Sequence, residues 1–292
     1  MHPGIAFAAL AYVLWGLFPL YFSLLSHVPV AEVLVHRIVW SLVFVMLVLA
    51  WRRQWRWLGA LRGQPKVIGA FAVSALLLSG NWLVYIWAVG NGHIVDASLG
   101  YFITPLINVV LGYTVLGERP RAAQWSALAL AMVGVAWLTW QAGQLPWIAL
   151  VLALSFGAYG LLRKIAVLGP LEGLSLETLL LGAPALVALL LWWGRGPQSF
   201  PTAGLTTNLL LIGVGPLTAV PLLLFAAGAR RISMTTLGVL QYIGPTIQFV
   251  LGVWLFEEPF SPARLLGFAL IWSALLLYTA DGWRSARQSV SA

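Results

Sequence analysis

The stretch PLINVVLGYTVLGE, residues 105–118, decides the fold, because a similar stretch, PTIQFVLGVWLFEE, occupies residues 245–258. Among the residues that recur in it at an offset of 140 positions are Pro105 and Pro245, Leu111 and Leu251, Gly112 and Gly252, and Glu118 and Glu258. Outside these stretches, Glu32 and Glu172 keep the same offset. The sequence is therefore composed of two similar halves.

Each half contains five apolar runs, most of them long enough to cross a membrane as a helix: 4–25, 30–51, 67–90, 94–116, 122–140, 146–162, 173–193, 207–229, 232–256 and 263–280. A helix of about 20 residues spans a hydrocarbon core of about 30 Å. Because the runs lack the period-2 alternation of a membrane β-barrel, the sequence predicts an all-α membrane protein. We expect ten transmembrane helices in two five-helix repeats, residues 1–140 and 146–292.

The odd number of spans in each repeat has a consequence for symmetry. After five crossings the second repeat enters the membrane from the side opposite to the first. Two such inverted repeats are related by a pseudo-two-fold axis in the membrane plane. Many secondary transporters use this arrangement to open alternately to either side.

The charged residues indicate how the chain is oriented. Of the 292 residues, 61% are hydrophobic and 8% are charged, which excludes a soluble domain of this size. Thirteen of the sixteen Lys and Arg residues fall in the loops or tail on one side: Arg52, Arg53, Arg56, Arg62, Lys66, Arg119, Arg121, Arg163, Lys164, Arg230, Arg231, Arg284 and Arg287. The positive-inside rule predicts cytoplasmic N- and C-termini. The net charge of +8 is thus explained by orientation beside anionic membrane lipid and not by nucleic-acid binding.

Several classes of chemistry lack their motifs in this sequence. It has no cysteine, which excludes disulfides, Cys-ligated zinc and thiol catalysis. HExxH, GxSxG and P-loop patterns are missing, and the four histidines are scattered. We therefore expect no enzyme, no metal site and no cofactor. Without a P-loop, transport must follow a gradient or be passive.

The motifs resemble a known family. LWGLFP at residues 14–19, SLGYF at 98–102 and the Leu-Gly-Glu at 116–118 are similar to the RarD group within the EamA domain of the drug/metabolite transporter superfamily, with the domain present twice. The resemblance implies ten helices in the bacterial inner membrane around a central cavity. Spans 1, 3, 4, 6, 8 and 9 would line the cavity, spans 2 and 7 would move during gating, and spans 5 and 10 would pack outside.

Polar and aromatic residues within the spans form the candidate cavity lining: Tyr12, Trp15, Asn81, Tyr85, Tyr101, Asn108, Tyr159, Gln241, Tyr242 and Gln248. Uncharged amides and aromatic rings suit a small amphipathic or aromatic solute better than a bare ion. The alternative for a single Trp or Tyr is a place in the interfacial belt of the membrane.

Charged groups near the start of the second span are candidates for gating. An ionisable residue within a span costs about 2.5–3.5 kcal/mol on insertion scales, so Arg37 is a functional candidate. It would serve as an outer gate or as a clamp for a solute carboxylate. The alternative is a side chain that snorkels toward the membrane interface and forms a structural ion pair. Glu32 and His36 lie four residues apart on one helix face and can interact, although Glu32 also suits the helix N-terminus electrostatically.

Three further glutamates are candidates for gating or proton coupling. Glu177 aligns with Arg37 in the repeat, and a carboxylate at that depth could carry a proton, as could His36. Glu118 and Glu258 end spans 4 and 9 on opposite sides of the membrane. Each is either a gate that closes through contacts with nearby loops or a static loop tether.

Prolines within the spans predict interruptions of the helices. Pro19, Pro105 and Pro245 each remove one backbone hydrogen bond and favour a kink. Kinked helices can expose backbone groups to a central cavity. The sequence thus predicts a secondary transporter that exports small organic solutes such as amino acids, metabolites or amphipathic drugs, with proton coupling as a hypothesis. The alternative is a passive channel or a lipid scramblase on the same fold.

Overall fold

A computed structural model describes residues 2–61, 63–91, 93–143, 147–192, 199–255 and 262–288. All regular secondary structure in these ranges is helical. The helices are α1 (Pro3–Gly16), α2 (Phe18–Ser23), α3 (Val30–Arg52), α4 (Arg56–Ala60), α5 (Pro65–Gly90), α6 (Ile94–Leu116), α7 (Ala122–Ala142), α8 (Trp147–Ile165), α9 (Pro170–Trp192), α10 (Leu205–Ala229), α11 (Met234–Gln241), α12 (Ile243–Trp254) and α13 (Pro262–Gln288).

The predicted all-α membrane fold is confirmed. In the described part of the chain, nine helical segments are long and apolar enough to cross a membrane. The tenth predicted span falls on α13, which carries a shorter apolar stretch, Leu265–Tyr278. For the first nine spans the predicted ends agree with the helices to within three residues, whereas α13 continues to Gln288, eight residues beyond the predicted end of the tenth span. The protein is therefore a multi-pass membrane protein.

Two of the spans are broken into two helices each. The first breaks at Leu17, between α1 and α2, and the ninth breaks at Tyr242, between α11 and α12. Pro19 is the second residue of α2, where its missing N–H is tolerated. Pro245 likewise lies at the third position of α12. Pro105 lies inside α6, which continues through it. A kink at Pro105 therefore stays a prediction.

The helices of the two repeats pack against each other and not as separate bundles. In the interior, α1 and α3 pack on α10, and α5 and α6 pack on α8. At one edge, α7 packs along α13. A Cβ at Gly134 would lie 2.9 Å from the carbonyl oxygen of Gly267, so glycine is needed for this close approach. The shared interior of the two repeats is where the candidate cavity residues meet.

Candidate solute-binding core

Five aromatic rings meet in the middle of the bundle. Tyr12 and Trp15 come from α1, Phe156 and Tyr159 from α8, and Phe225 from α10. Neighbouring ring centroids lie 5.3–6.2 Å apart. This aromatic core joins the first repeat to the second, because α1 belongs to the first and α8 and α10 belong to the second.

Polar atoms in and beside the aromatic core lack hydrogen-bond partners. The hydroxyls of Tyr12 and Tyr159 are buried without a partner, as is Asn108 Oδ1, which lies beside Gly157 and Gly160 of α8. A buried polar group without a hydrogen bond is destabilising, by about 1–3 kcal/mol, and therefore requires an explanation. A bound solute or ordered water would satisfy these atoms.

The predicted amide side chains surround this region and bridge helices. Asn108 on α6 donates through Nδ2 to Gln241 Oε1 at 3.0 Å. Gln248 on α12 donates to the carbonyl oxygen of Trp15 at 3.1 Å, near the break in the first span. Asn81 on α5 donates to the carbonyl oxygen of Leu152 at 3.0 Å. The amides thus fix the helices around the core.

Two predicted tyrosines pair with each other, and a third lies in a different cluster. The rings of Tyr85 and Tyr101 are 5.7 Å apart, and both tyrosines interact electrostatically with Arg37. Tyr242 packs on Phe102 at 6.2 Å, in the cluster formed by α6, α7 and α13. Tyr242 therefore lies away from the aromatic core, at the break between α11 and α12.

Arg37 is buried in a cage of aromatic rings. Only 3% of the residue's surface is exposed. Its guanidinium carbon lies 4.2 Å from the centroid of Trp82 and 5.7 Å from those of Phe18 and Phe22. Its Nε has no hydrogen-bond partner. Among the described residues, no carboxylate lies within ion-pairing distance of Arg37.

Glu177, the repeat equivalent of Arg37, has a charged partner. Its Oε1 lies 3.6 Å from Arg163 Nη1 and accepts a hydrogen bond from Ser74 Oγ at 2.5 Å. The sequence-based assignment of Arg163 to a cytoplasmic loop is wrong, because α8 continues to Ile165 and Arg163 is 1% exposed. Its Nη2 donates to the carbonyl oxygen of Pro170 at 3.1 Å. Arg163 follows Tyr159 of the aromatic core by four residues, about one turn, on α8.

Glu32 connects the start of α3 to the segment before α10. Its Oε1 accepts hydrogen bonds from the backbone N–H groups of Ser199 and Phe200, each at 2.9 Å. His36 Nε2 lies 4.0 Å from Glu32 Oε1, and His36 Nδ1 accepts a hydrogen bond from Trp40 Nε1 at 3.1 Å. Since Nδ1 acts as an acceptor, His36 is neutral in this arrangement.

Glu118 makes the corresponding contact at the other end of the molecule. Its carboxylate accepts hydrogen bonds from the backbone N–H of Met234 at 2.8 Å and of Thr235 at 3.2 Å, at the N-terminus of α11. A carboxylate at a helix N-terminus is stabilised by the helix dipole. Lys164 Nζ lies 4.0 Å from Glu118 Oε1. Glu258 lies outside the described residues.

Five residues of the core and cage escaped the sequence-based selection. Phe156 and Phe225 complete the aromatic core, and Phe18, Phe22 and Trp82 cover Arg37. The selection favoured residues with polar atoms, and four of these five are phenylalanines, which have none. A signal was nevertheless present, since Phe156 aligns with Trp15 within one residue in the repeat.

Comparison with known proteins identifies the family. The profile of the EamA-like transporter family matches residues 2–140 and again residues 146–280. The chain belongs to the EamA-like transporter family. An uncharacterized transporter of Pseudomonas aeruginosa is 47% identical over 99% of this chain and 97% of its own. This EamA-like protein is also similar to two proteins named RarD.

The RarD relatives span nearly the full length of this EamA-like protein. RarD of Streptomyces exfoliatus is 46% identical over 98% of this chain and 91% of its own length. RarD of Escherichia coli is 43% identical over 98% of this chain and 97% of its own length. The protein is therefore of the RarD type, and it is a membrane transporter by family.

A solved crystal structure has the same fold. It superposes with a TM-score of 0.69 over 96% of this chain and 98% of its own, at 20% sequence identity. At this sequence identity, the similarity supports only the fold of the RarD-type protein and says nothing about its function.

Proposed function

We propose that this RarD-type protein is a secondary transporter that exports small organic solutes by alternating access. The main support for this proposal is the set of buried polar atoms without hydrogen-bond partners in and beside the aromatic core, between the two repeats. Rings and isolated hydroxyls suit an amphipathic solute such as an amino acid, a metabolite or a drug. We infer that Tyr12, Tyr159 and Asn108 hydrogen-bond this solute.

Alternating access needs one closure on each side of the solute. Glu32 and Glu118 belong to the first repeat, and each holds backbone N–H groups of the second repeat at opposite ends of the molecule. We infer that the Glu32 contacts close the outer side and that the Glu118 contacts close the inner side. This assignment rests on the orientation given by the basic residues, with both termini in the cytoplasm.

Proton coupling is the finer part of the proposal. Glu177 Oε2 has no hydrogen-bond partner, and its Oε1 lies near Arg163. Movement of α9 that separates Glu177 from Arg163 would favour protonation of the carboxylate, because an isolated buried charge is unstable. We prefer Glu177 to His36 as the proton carrier, because protonation of His36 Nδ1 would break its bond with Trp40.

Counterflow in proteoliposomes tests the proposal. Vesicles loaded with one unlabelled solute class at a time, from amino acids, aromatic metabolites and chloramphenicol, would be assayed for uptake of the labelled solute. We expect saturable counterflow that Tyr12→Phe and Tyr159→Phe reduce, because each removes only a hydroxyl. Tyr113→Phe is the matched control, since Tyr113 is 52% exposed on the outside of the bundle.

The same vesicles distinguish the other outcomes. A channel would give flux without counterflow, and a scramblase would make inner-leaflet fluorescent lipid accessible to dithionite without any solute. Either result contradicts the carrier mechanism. An imposed pH gradient should accelerate flux in the wild-type protein and should have no effect in Glu177→Gln. Equal acceleration in both proteins would exclude Glu177 as the proton carrier.

A further inference from the structure

In the described part of the chain, Arg37 is buried without an anionic partner, and the aromatic core does not provide one. Arg37 lies on α3, and its guanidinium stacks on Trp82. Its Nε has no acceptor, and no carboxylate among the described residues pairs with it. Arg163, also buried, likewise has an Nε without a hydrogen-bond partner, but it lies 3.6 Å from the Glu177 carboxylate and donates through Nη2 to the carbonyl oxygen of Pro170. A buried cation is stable only when it is paired. The faces of the aromatic rings stabilise part of the positive charge, but they offer no hydrogen-bond acceptor to the N–H groups of the guanidinium.

We propose that Arg37 binds the carboxylate of the transported solute and that the surrounding rings hold its apolar or aromatic body. The inference rests on the proposed transport function and names the chemical class of the solute. A guanidinium presents paired N–H donors in the geometry that a carboxylate accepts. The hydroxyls of Tyr85 and Tyr101 lie close enough to interact electrostatically with Arg37 and would face the same group.

The composition of the cage favours a monocarboxylate over an inorganic oxoanion. Arg37 supplies one positive charge, and its walls are the rings of Phe18, Phe22 and Trp82. An inorganic phosphate carries more than one negative charge at neutral pH and has several oxygens that need donors. A single carboxylate on an apolar body matches one cation and aromatic walls.

The helix that covers Arg37 is short enough to move as a lid. Phe18 and Phe22 both lie on α2, which has six residues and is joined to α1 through the break at Leu17. Tyr21 on the same helix donates to the carbonyl oxygen of Leu210 at 2.6 Å. Displacement of α2 would uncover the guanidinium toward the outer side. The site is therefore placed where a solute leaving the core would meet it.

Ligand binding to the purified protein tests this inference without relying on transport. The probes are 3-phenylpropionate, its neutral isostere 3-phenylpropionamide, inorganic phosphate and chloride. The readouts are the unfolding temperature and the quenching of tryptophan fluorescence, with Trp82→Phe removing the signal nearest to Arg37. We expect the acid to bind about 10-fold tighter than the amide or better, as a charge-assisted hydrogen bond allows.

Variants of Arg37 decide whether the preference arises at this site. Arg37→Gln should abolish the preference for the acid, and Arg37→Lys should keep part of it, because the charge remains but the planar fork is lost. Arg231→Gln is the control, since Arg231 also lies over a ring, 5.5 Å from that of Phe7, but is exposed. Without ligand, Arg37→Gln should unfold at a temperature no lower than wild type.

Several results would overturn the inference. They are equal binding of acid and amide, an acid preference that survives in Arg37→Gln, tighter binding of phosphate or chloride, and a loss of ligand-free stability in Arg37→Gln as if an ion pair were broken. Counterflow separates the two proposals. Flux of neutral solutes that ignores Arg37 supports transport and rejects this site. Arg37-dependent binding of the acid without any flux supports the site and rejects transport.

Discussion

Arg163 and Glu177 form a buried ion pair in which Nη1 and Oε1 are 3.6 Å apart and each side chain is 1% exposed. The pair links α8 to α9 within the second repeat. At the equivalent position of the first repeat stands Arg37, for which the described residues offer no carboxylate. The inverted repeats thus carry different charges at matching positions, one paired within the protein and one open.

Breaking the Arg163–Glu177 pair should destabilise the protein strongly. Glu177→Leu leaves the Arg163 cation buried without its carboxylate, and we expect a loss of about 3–5 kcal/mol. The double variant Arg163→Leu with Glu177→Leu removes both charges and should recover much of that loss. Thermal unfolding in detergent, compared across the double-mutant cycle, measures the coupling between the two side chains.

An exposed ion pair provides the control for this cycle. Arg121 and Asp281 are 2.5 Å apart, and their side chains are 46% and 21% exposed. Asp281→Asn should change stability by about 0–1 kcal/mol, since solvent screens exposed charges. If Glu177→Leu has an equally small effect, the buried pair contributes no more than a surface pair and the prediction is wrong.

The inner and outer contacts should control which side of the transporter is accessible. The absence of cysteine makes single-cysteine labelling direct. Glu118→Ala removes the acceptor for Met234 and Thr235, and should raise maleimide labelling of Ile232→Cys about 10-fold or more. Under alternating access, the same change should lower the labelling of Thr207→Cys, which lies beside His27 at the end that we assign to the outer side.

Glu32→Ala is the matched variant for this experiment. It releases the backbone N–H groups of Ser199 and Phe200, so labelling should rise at Thr207→Cys and fall at Ile232→Cys. Accessibility that rises at both reporters in either variant would indicate local loosening. Such a result would argue against two coupled closures and in favour of static tethers.

The repeat and the apolar runs were sufficient to predict the helical membrane fold. In lipid, the backbone N–H and C=O groups can find hydrogen-bond partners only within the protein, and few structures provide them. The burial of Arg37 also followed from its place within a span. The Arg163–Glu177 pair did not, because its recognition required the end of α8 to within three residues, and such ends are poorly defined by hydropathy. The cage around Arg37 depends on contacts among three separate helices, which no local pattern encodes.

The orientation given by the basic residues can be tested on intact cells. With the N-terminus in the cytoplasm, the turn that holds Ser26 lies outside, and the loop that holds Gln54 lies inside. A membrane-impermeant maleimide should label Ser26→Cys in intact cells and Gln54→Cys only after lysis. Both positions are exposed, so unequal labelling reflects the side of the membrane. The reverse pattern would exchange the inner and outer assignments of Glu118 and Glu32.

The packing of α3 on α10 should depend on Gly215. A Cβ at this position would collide with the backbone carbonyl of Trp40, which cannot move aside as a flexible side chain can. The carbonyl oxygen of Gly215 also accepts a hydrogen bond from Ser41 Oγ at 3.1 Å, so a shift of the helix would break it. We expect Gly215→Ala to destabilise the protein by about 1–3 kcal/mol through overpacking.

Gly80→Ala is the control for Gly215→Ala, because both glycines lie inside helices and a Cβ at Gly80 meets nothing within 4 Å. Alanine is the better helix former, so Gly80→Ala should raise stability by about 0.5–1 kcal/mol. Thermal unfolding of the two variants in the same detergent therefore gives shifts of opposite sign. If both variants raise the unfolding temperature, helix propensity outweighs the contact with Trp40 and the prediction for Gly215 is wrong. If both lower it, the prediction for Gly80 is wrong.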